Sequence, residues 1–269
     1  MGKYLMSSNG YLVSVVIPMY NSECSIEKAL ASITNQTCKV FEIIVVDDGS
    51  TDRSSYLVEK FSQSHPEFRI KLLKKLNGGV SSARNIGMME SQGNFIAFLD
   101  SDDEWLPHKT QVQIDILKKD ASLAFIAGTT FYPIESMRGR LRVVTLNDLI
   151  FKNYFQPSTV IMRRKVYEEV GSFNESQRFA EEGNYFMRVA HKFKCALLYE
   201  KLIIYGNGKE GFGSSGLSAN LCEMEKGELL NLKFAYTNSY ISFAKYSIAG
   251  LFSLAKFVRR VIIVKVRRV

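Results

Sequence analysis

The sequence predicts an α/β protein, in which a central, mostly parallel sheet is flanked by helices and followed by an amphipathic helical tail. Three observations lead to this class. Short runs rich in β-branched residues alternate with helical patterns over the first 100 residues, an order typical of parallel βαβ units. Clusters of acids directly follow two of these runs. The last 30 residues combine basic and apolar side chains without an acid.

Each predicted strand of the N-terminal part is a short apolar run, as expected for strands that are covered on both faces. These runs are residues 13–17, 41–46, 69–73 and 94–99. Helices are predicted between them, and the segment Ser50–Thr51–Asp52 has the composition of a helix N-cap. The predicted helices cover residues 23–34, a stretch after residue 52, and residues 80–90.

Beyond residue 105 the pattern is less regular. A helix is predicted over 107–119, because proline is favoured in a first helical turn, and another over 179–193, where apolar residues recur at helical spacing. Residues 156–162 are predicted to form a strand, whereas 121–144 have no clear period. Five glycines within 206–216 predict a mobile loop that could close over a bound diphosphate.

The composition limits the classes of function. With 269 residues, of which 46% are apolar, the chain can bury a large core. Its four cysteines lack CxxC spacing and no window resembles a secretory signal, so reduced cysteines and a cytoplasmic location are expected. Three scattered histidines argue against a zinc site.

The basic charge is concentrated at the C-terminus. Seven basic residues lie between Tyr240 and Val269, and without them the net charge of +8 falls to about +1. A near-neutral body does not offer the basic groove that nucleic acid requires, so no nucleic-acid partner is expected. The predicted units are therefore a domain over 1–235 and a basic amphipathic helix over 236–269.

Drawn as a helix, the tail carries one narrow polar stripe, consisting of Ser242, Lys245, Ala249, Ser253, Lys256 and Arg260. Lys245 and Lys256 interrupt the apolar character too soon for a membrane span. A helix lying in the membrane interface is predicted instead, with peripheral contact through 241–269 and terminal arginines near anionic lipid. The alternative is a helix that packs on the domain or in a dimer.

Two acidic clusters stand where predicted strands end. Asp47–Asp48 follows the run ending at Val46, and Asp100–Ser101–Asp102–Asp103 follows the run ending at Leu99. Since ligands bind at the carboxyl ends of parallel strands, both clusters are expected to share one crevice. Mg²⁺ or Mn²⁺ bound through carboxylate oxygens would relieve the repulsion among these acids and would neutralise a diphosphate.

Three other interpretations of these acids are open. Each cluster could be a solvated turn. A phosphotransferase of the haloacid-dehalogenase kind also has DxD after a strand, but Glu104 stands where such proteins have threonine or valine. A response-regulator receiver has paired acids as well, yet 269 residues are too many for a receiver alone.

Four motifs occur in a familiar order: VSVVIPMYN (13–21), EIIVVDDGSTD (42–52), NGGVSSARNIG (77–87) and GNFIAFLDSDDEW (93–105). Together they resemble the inverting family 2 glycosyltransferases of bacterial surface-polysaccharide synthesis, which have the Rossmann-like GT-A fold. The resemblance covers about residues 11–190 and is strongest before residue 106.

The resemblance implies a site for a nucleotide sugar. Pro18, Tyr20 and Asn21 match the loop that lines the nucleobase pocket in the family. Asp48 matches the aspartate that accepts a hydrogen bond from uracil, a charge-assisted contact. Asp47 either helps there or shapes the turn.

The same resemblance assigns the later motifs. Arg84 stands beside the nucleotide, where it would supply positive charge or orient Asp100, unless it pairs with an acid of the core. Asp100 matches the residue that contacts ribose and Asp102 matches the metal ligand. Asp103 is expected to support these acids or to face the sugar.

The catalytic base is expected at the start of the helix predicted over 179–193. The family usually has a Glu–Asp pair there; in this chain the pair is Glu181–Glu182, and Asn184 replaces a second common aspartate. Glu182 is the predicted base because it shares the inward apolar stripe with Phe186, while Glu181 would point aside, with a possible sugar or acceptor contact. The alternative for Glu182 is an exposed acid favoured by the helix dipole. Trp105 would either stack on a sugar face or wedge the following helix.

These assignments imply a metal-dependent enzyme at the inner face of the cell membrane. It would transfer a sugar from a UDP-sugar to a hydroxyl of a lipid-linked saccharide acceptor with inversion. One alternative is a domain that binds sugar nucleotides without turnover, because Glu182 departs from the usual aspartate. Another is a nucleotidyl or phosphoryl transferase that uses the same metal site.

Overall fold

A computed structural model describes residues 10–206 and 219–267, with no description of the side chain of residue 267. Most of the glycine-rich segment 206–216 lies outside these residues. The elements are, in chain order, β1 (Val13–Met19), α1 (Ile26–Thr34), β2 (Glu42–Asp47), α2 (Ser54–Ser64), β3 (Ile70–Lys74), α3 (Val80–Glu90), β4 (Phe95–Phe98), β5 (Glu104–Trp105), α4 (Lys109–Lys119), β6 (Leu123–Thr129), β7 (Leu141–Val144), α5 (Leu146–Leu149), β8 (Ile161–Arg163), α6 (Arg164–Val170), α7 (Glu181–Lys192), β9 (Lys194–Lys201), β10 (Ile203–Ile204), α8 (Leu221–Thr237) and α9 (Phe243–Arg267).

Eight of the described strands form one mixed sheet in the order β3-β2-β1-β4-β8-β6-β9-β7. The four N-terminal strands are all parallel, as are β6 and β9. β8 runs antiparallel between β4 and β6, and β7 is an antiparallel edge strand. A separate two-stranded ribbon pairs β5 with β10. The predicted α/β class with a mostly parallel sheet is therefore confirmed.

Both faces of the central strands are covered, which explains their continuous apolar sequences. Val16 on β1 contributes to one hydrophobic cluster, whereas its neighbours Val15 and Ile17 contribute to the cluster on the opposite face. Helix α3 approaches β1 closely because Gly87 has no side chain: a Cβ at this position would lie 2.2 Å from Cγ1 of Val16. This contact fixes α3 against the strand whose end carries the first motif.

The structure differs from the sequence-based expectations in three segments. The stretch 121–144 contains the strands β6 and β7, and β6 was missed because Ala124, Ala127 and Gly128 are weak strand formers. The stretch 156–162 begins with a 3₁₀ turn over Pro157–Thr159 and becomes a strand only at Ile161. Helix α7 begins at Glu181, two residues later than predicted.

The C-terminal helix packs on the domain through its polar stripe. Ala249 and Ser253 are buried, and Arg260 pairs with Glu225 and Glu228 of α8 at 2.8 Å each. The apolar side of the helix faces outward. Among the described residues, no helix combines the length and apolar character that crossing a bilayer requires.

Candidate active site

The two acidic loops lie at the same edge of the sheet. Asp48 follows β2 and Asp100 follows β4, and these strands flank β1 on its two sides in parallel. The loop after β1 reaches the second cluster directly, since the hydroxyls of Ser22 and Ser101 are 2.7 Å apart. The arrangement agrees with the shared crevice expected from the sequence.

A buried arginine joins the second acidic loop to helix α7. Arg84 on α3 donates to Asp100 Oδ1 at 2.8 Å and to Glu181 Oε1 at 2.9 Å, and its side chain is 4% exposed. Burial opposes its charge, but Asp100 and Glu181 together raise the pKa of Arg84, so it is a permanent cation. Glu181, which was expected to point aside, instead faces Arg84.

Glu182 is the neighbouring carboxyl on α7. Burial and the adjacent Glu181 raise the pKa of Glu182 to about 8, whereas the charge of Arg84 acts in the opposite direction. A carboxyl with such a pKa accepts a proton readily near neutral pH once it is ionised. Its location and pKa are consistent with the predicted base, and the role itself stays a prediction.

The hydroxyl of Tyr205 is affected by the negative charges of Glu182 and of the second acidic loop. The ribbon of β5 and β10 places Tyr205 beside the acidic loop, because Ile203 pairs with Trp105 and Ile204 pairs with Glu104. Burial raises the pKa of Tyr205 to about 12, and the negative charges of four acids add to the shift: Asp103, Asp100, Asp102 and Glu182. The second acidic loop and Glu182 of α7 therefore both act on this phenol.

Asp103 is a buried anchor of the acidic loop. It accepts hydrogen bonds from Ser158 Oγ at 2.5 Å, Gln156 Nε2 at 3.2 Å and the Gly206 N–H at 2.6 Å. Burial and Asp100 raise the pKa of Asp103 to about 7. With 1% exposure it does not face a sugar, so the supporting role suggested for it fits the geometry.

Trp105 is likewise enclosed. Its Nε1–H donates to the Ser158 carbonyl at 2.8 Å, and Lys109 Nζ lies 4.0 Å from the ring centroid. Because only 3% of the residue is exposed, neither ring face is available for stacking on a sugar. This burial excludes the stacking of Trp105 on a sugar. It favours the other expectation, that Trp105 packs beneath α4.

The oxygens of Asp48 are already in contact with protein groups. Oδ1 accepts from Lys75 Nζ at 2.5 Å and from the Gly78 N–H at 2.9 Å, and Oδ2 accepts from the Gly79 N–H at 2.7 Å. Asp48 thus holds the loop before α3, and a uracil contact would have to share or replace one of these bonds. Asp47 shapes its turn by accepting from the Ser50 N–H at 2.8 Å and from Ser55 Oγ.

The loop after β1 offers an exposed aromatic ring. Pro18 is buried at the end of the strand, whereas Tyr20 is 52% exposed. Asn21 adopts a left-handed conformation (φ +48°), stabilised because its Oδ1 accepts from the Thr51 N–H at 2.9 Å. This turn directs Tyr20 away from the core beside the first acidic loop, where a nucleobase would be expected.

The carboxylates at this edge fit a hard divalent cation. In the part of the chain that the structure describes, no three histidine, cysteine or acidic side chains are grouped so that they could hold a metal alone. Mg²⁺-type sites, however, often use one or two carboxylates together with substrate phosphates. Asp100 and Asp102 are partly exposed carboxylates of the second acidic loop, so their oxygens would hold such an ion.

Sequence reasoning missed three contributors to the site. Lys75 follows β3 at the same sheet edge. The rule that ligands bind at the carboxyl ends of parallel strands, which pointed to Asp48, therefore also pointed to Lys75. Ser158 was expected as part of a strand, yet it is fully buried, and its hydroxyl donates to Asp103 and accepts from the Asp100 N–H. Tyr205 had no sequence signal, because its location depends on pairing between distant strands.

The family described as Glycosyl transferase family 2 matches residues 14–171, more than half of the chain. A relative from Escherichia coli is named UDP-Glc:alpha-D-GlcNAc-diphosphoundecaprenol beta-1,3-glucosyltransferase WfgD; it is 40% identical over 119 residues, which are 44% of this chain and 45% of the relative. The chain thus spans less than half the length of that relative.

Two solved structures share the fold over nearly the whole chain. S. aureus TarS 1-349 in complex with UDP-GlcNAc superposes with a TM-score of 0.67 at 22% identity, covering 93% of this chain and 72% of that one. The mannosyltransferase PcManGT from Pyrobaculum calidifontis, in complex with GDP-Man and Mn²⁺, gives 0.68 at 18% identity, covering 92% and 74%. The fold is GT-A, and because the family match includes both acidic loops and the strands that carry them, the chain belongs to glycosyltransferase family 2.

Proposed function

We propose that the protein transfers a sugar from a UDP-sugar to a hydroxyl of a lipid-linked saccharide, with inversion, during cell-surface polysaccharide synthesis. The observation that carries the proposal is the bridge that Arg84 makes between Asp100 of the second acidic loop and Glu181 of α7, the neighbour of Glu182. The donor and acceptor classes are supported by the similarity to the E. coli enzyme whose name specifies UDP-Glc and a diphosphoundecaprenol acceptor.

The proposed chemistry assigns one proton transfer to the protein. Glu182 takes the proton of the acceptor hydroxyl while that oxygen bonds to the anomeric carbon, and the bond from this carbon to UDP breaks on the opposite face. A single displacement of this kind inverts the anomeric configuration. The single positive charge of Arg84 offsets one of the two negative charges of Glu181 and Asp100, and this reduces the repulsion between these acids and a diphosphate.

A divalent cation, Mg²⁺ or Mn²⁺, completes the proposed donor site. Asp102, with Asp100 beside it, would hold the ion, which would neutralise the charge that develops on the departing diphosphate. The structural neighbour solved with Mn²⁺ has the same fold, which makes such an ion plausible on structural grounds.

The test is UDP release from a panel of UDP-sugars with a diphosphate-lipid-linked saccharide, with and without Mn²⁺ or Mg²⁺. We expect metal-dependent release of UDP, lost in Asp102→Ala. Glu182→Gln should bind donor with unchanged affinity but lose at least 100-fold in turnover. Release of pyrophosphate would instead indicate a nucleotidyl transferase, and donor binding without turnover would indicate a non-catalytic binding domain.

We also infer that α9 attaches the protein to the inner face of an anionic membrane. Its outward side is a ridge of apolar residues that are all at least 45% exposed: Phe243, Ile248, Leu251, Phe252, Leu254, Val258, Ile262 and Val266. The polar stripe is turned inward, where Lys256 and Arg260 meet Glu228. Such a helix can lie in the bilayer interface while its polar side remains on the domain.

The charge of the tail favours a lipid surface over a second copy of the chain. From Tyr240 onward there are seven basic residues and no acid, and five of the seven remain after Lys256 and Arg260 have paired with acids of α8. Two such helices would repel each other, whereas anionic lipid attracts basic residues by about 1 kcal/mol each near the surface.

Sedimentation with vesicles tests the membrane contact separately from activity. We expect binding to phosphatidylglycerol-containing vesicles and weaker binding to phosphatidylcholine alone. Leu251→Gln with Val258→Gln should reduce binding at least tenfold, whereas the control Met89→Gln, an equally exposed position on α3, should not. If the double variant instead dissociated a dimer and vesicle binding were absent, the ridge would be a contact between copies.

A further inference from the structure

We propose that Asn231 on α8 is a positioning residue for Glu182, because it holds the backbone turn from which α7 begins. This inference rests on the transferase function proposed above. It concerns a part of the chain that lies beyond residues 14–171, where the family match ends.

The turn before α7 has an unfavourable backbone conformation. Ala180 has φ +53° and ψ +30°, the left-handed region, which costs a residue with a Cβ of order 1 kcal/mol. No side chain caps the first turn of α7. The direction in which Glu181 and Glu182 leave this turn therefore depends on contacts from outside α7.

Two buried amides provide these contacts. Asn231 Nδ2 donates to the Ala180 carbonyl at 2.8 Å. Gln177 Nε2 donates to the Phe179 carbonyl at 2.9 Å and to Asn231 Oδ1 at 2.8 Å. Asn231 is 2% exposed and Gln177 is 8% exposed, so water does not readily replace either amide.

Helix α8 also lies unusually close to the turn. A Cβ on Gly227 would be 2.3 Å from the Phe179 carbonyl oxygen, so only glycine permits this approach. A Cβ on Gly183 would be 2.9 Å from Asn231 Nδ2. The amide of Asn231 therefore lies next to the backbone just before the two glutamates, at Ala180, and just after them, at Gly183.

The consequence is a difference between the two acids of α7. Glu181 is held by its own ion pair with Arg84, whereas the structure gives Glu182 no such cationic hydrogen-bond partner among the described residues. The orientation of Glu182 therefore depends more on the backbone turn. Loosening the turn should affect proton transfer before it affects donor binding, because the nucleotide loops lie on other strands.

The experiment compares three variants of the full-length protein in the UDP-release assay. Asn231→Ala removes the bond from Asn231 to the Ala180 carbonyl, which then keeps only the longer bond of 3.2 Å from Gln177 Nε2. Asn231→Leu removes the same donor while keeping a similar size and adding no charge. Asn238→Ala is the control: at the C-cap of the same helix, its exposed amide donates to the Phe234 carbonyl at 2.9 Å, far from the turn in sequence.

We expect both Asn231 variants to lose at least tenfold in kcat while the Kd for UDP-sugar stays within twofold of wild type. Their pH–rate profiles should shift, because the surroundings of Glu182 change, whereas Asn238→Ala should match wild type in all three measurements. Equal kcat values and pH profiles in the Asn231 and Asn238 variants would overturn the inference. Unfolding of both Asn231 variants would also overturn it, because the amide would then support the whole domain. An inactive wild type would refute the proposed function itself.

Discussion

Replacing Arg84 by methionine should destabilise the protein by about 3 kcal/mol, the lower end of the 3–5 kcal/mol typical for removing one partner of a buried ion pair. The side chain of Glu181 is 6% exposed, so its charge would remain buried without a counter-ion. The side chain of Asp100 is 25% exposed, and water can compensate part of its loss. For a domain of this size, ~3 kcal/mol corresponds to a fall in Tm of roughly 6–12 °C.

Urea unfolding at pH 7, analysed by linear extrapolation, would measure this change. The buried charge of Glu181 is the stated cause, so Glu181→Gln in the Arg84→Met background should recover about 2 kcal/mol, although it destabilises the wild type. Arg84→Lys should lie between wild type and Arg84→Met, because lysine retains the charge but not the two-pronged geometry.

A loss below 1 kcal/mol for Arg84→Met, or the absence of recovery in the double variant, would refute this reasoning. The first outcome would mean that Glu181 finds water or another donor when the guanidinium is removed. The second would mean that the destabilisation arises from lost packing of the Arg84 side chain rather than from an unpaired charge.

Three further predictions concern the site and its support. Because the pKa of Glu182 is raised to about 8, kcat/KM should increase with pH as its carboxylate forms; a flat profile between pH 6 and 9 would assign the base elsewhere. Gly87→Ala should lower the free energy of unfolding by about 1–3 kcal/mol, since its Cβ would meet Val16, and a urea midpoint equal to that of wild type would contradict the close approach. Trp105→Phe should cost about 1–3 kcal/mol because the Ser158 carbonyl loses its donor; unchanged stability, measured the same way, would show that water replaces the indole N–H.

The sequence was most informative where local pattern and chemistry coincide. The runs at 13–17 and 41–46 identified β1 and β2, because strands covered on both faces need continuous apolar side chains. The acids after β2 and β4 could then be assigned to one edge, since parallel strands end on the same side. Strand β6 was missed because Ala124, Ala127 and Gly128 weaken its strand signal, and β7 was missed because four residues give too short a pattern.

Several side-chain roles could not be read from the motifs. Asp103 and Trp105 stand next to the proposed metal ligand in the chain, yet both turn inward, because their partners near Ser158 arrive from a distant segment. Glu181 faces Arg84 rather than pointing aside, since the left-handed conformation of Ala180 sets the direction in which α7 begins. Motif position alone therefore does not distinguish an acid in the cleft from an acid in the core.

The sequence by itself determined the family, the order of the strands and helices in the first hundred residues, and the presence of acids at the sheet edge. These follow from short-range chemistry: apolar periodicity, turn residues and the residues that end each strand. Only the tertiary structure decided which acids are buried, how the C-terminal helix turns its polar stripe inward, and that α8 supports the start of α7. Such features depend on contacts between residues far apart in the chain, and the pattern of one segment carries no information about the segment that packs on it.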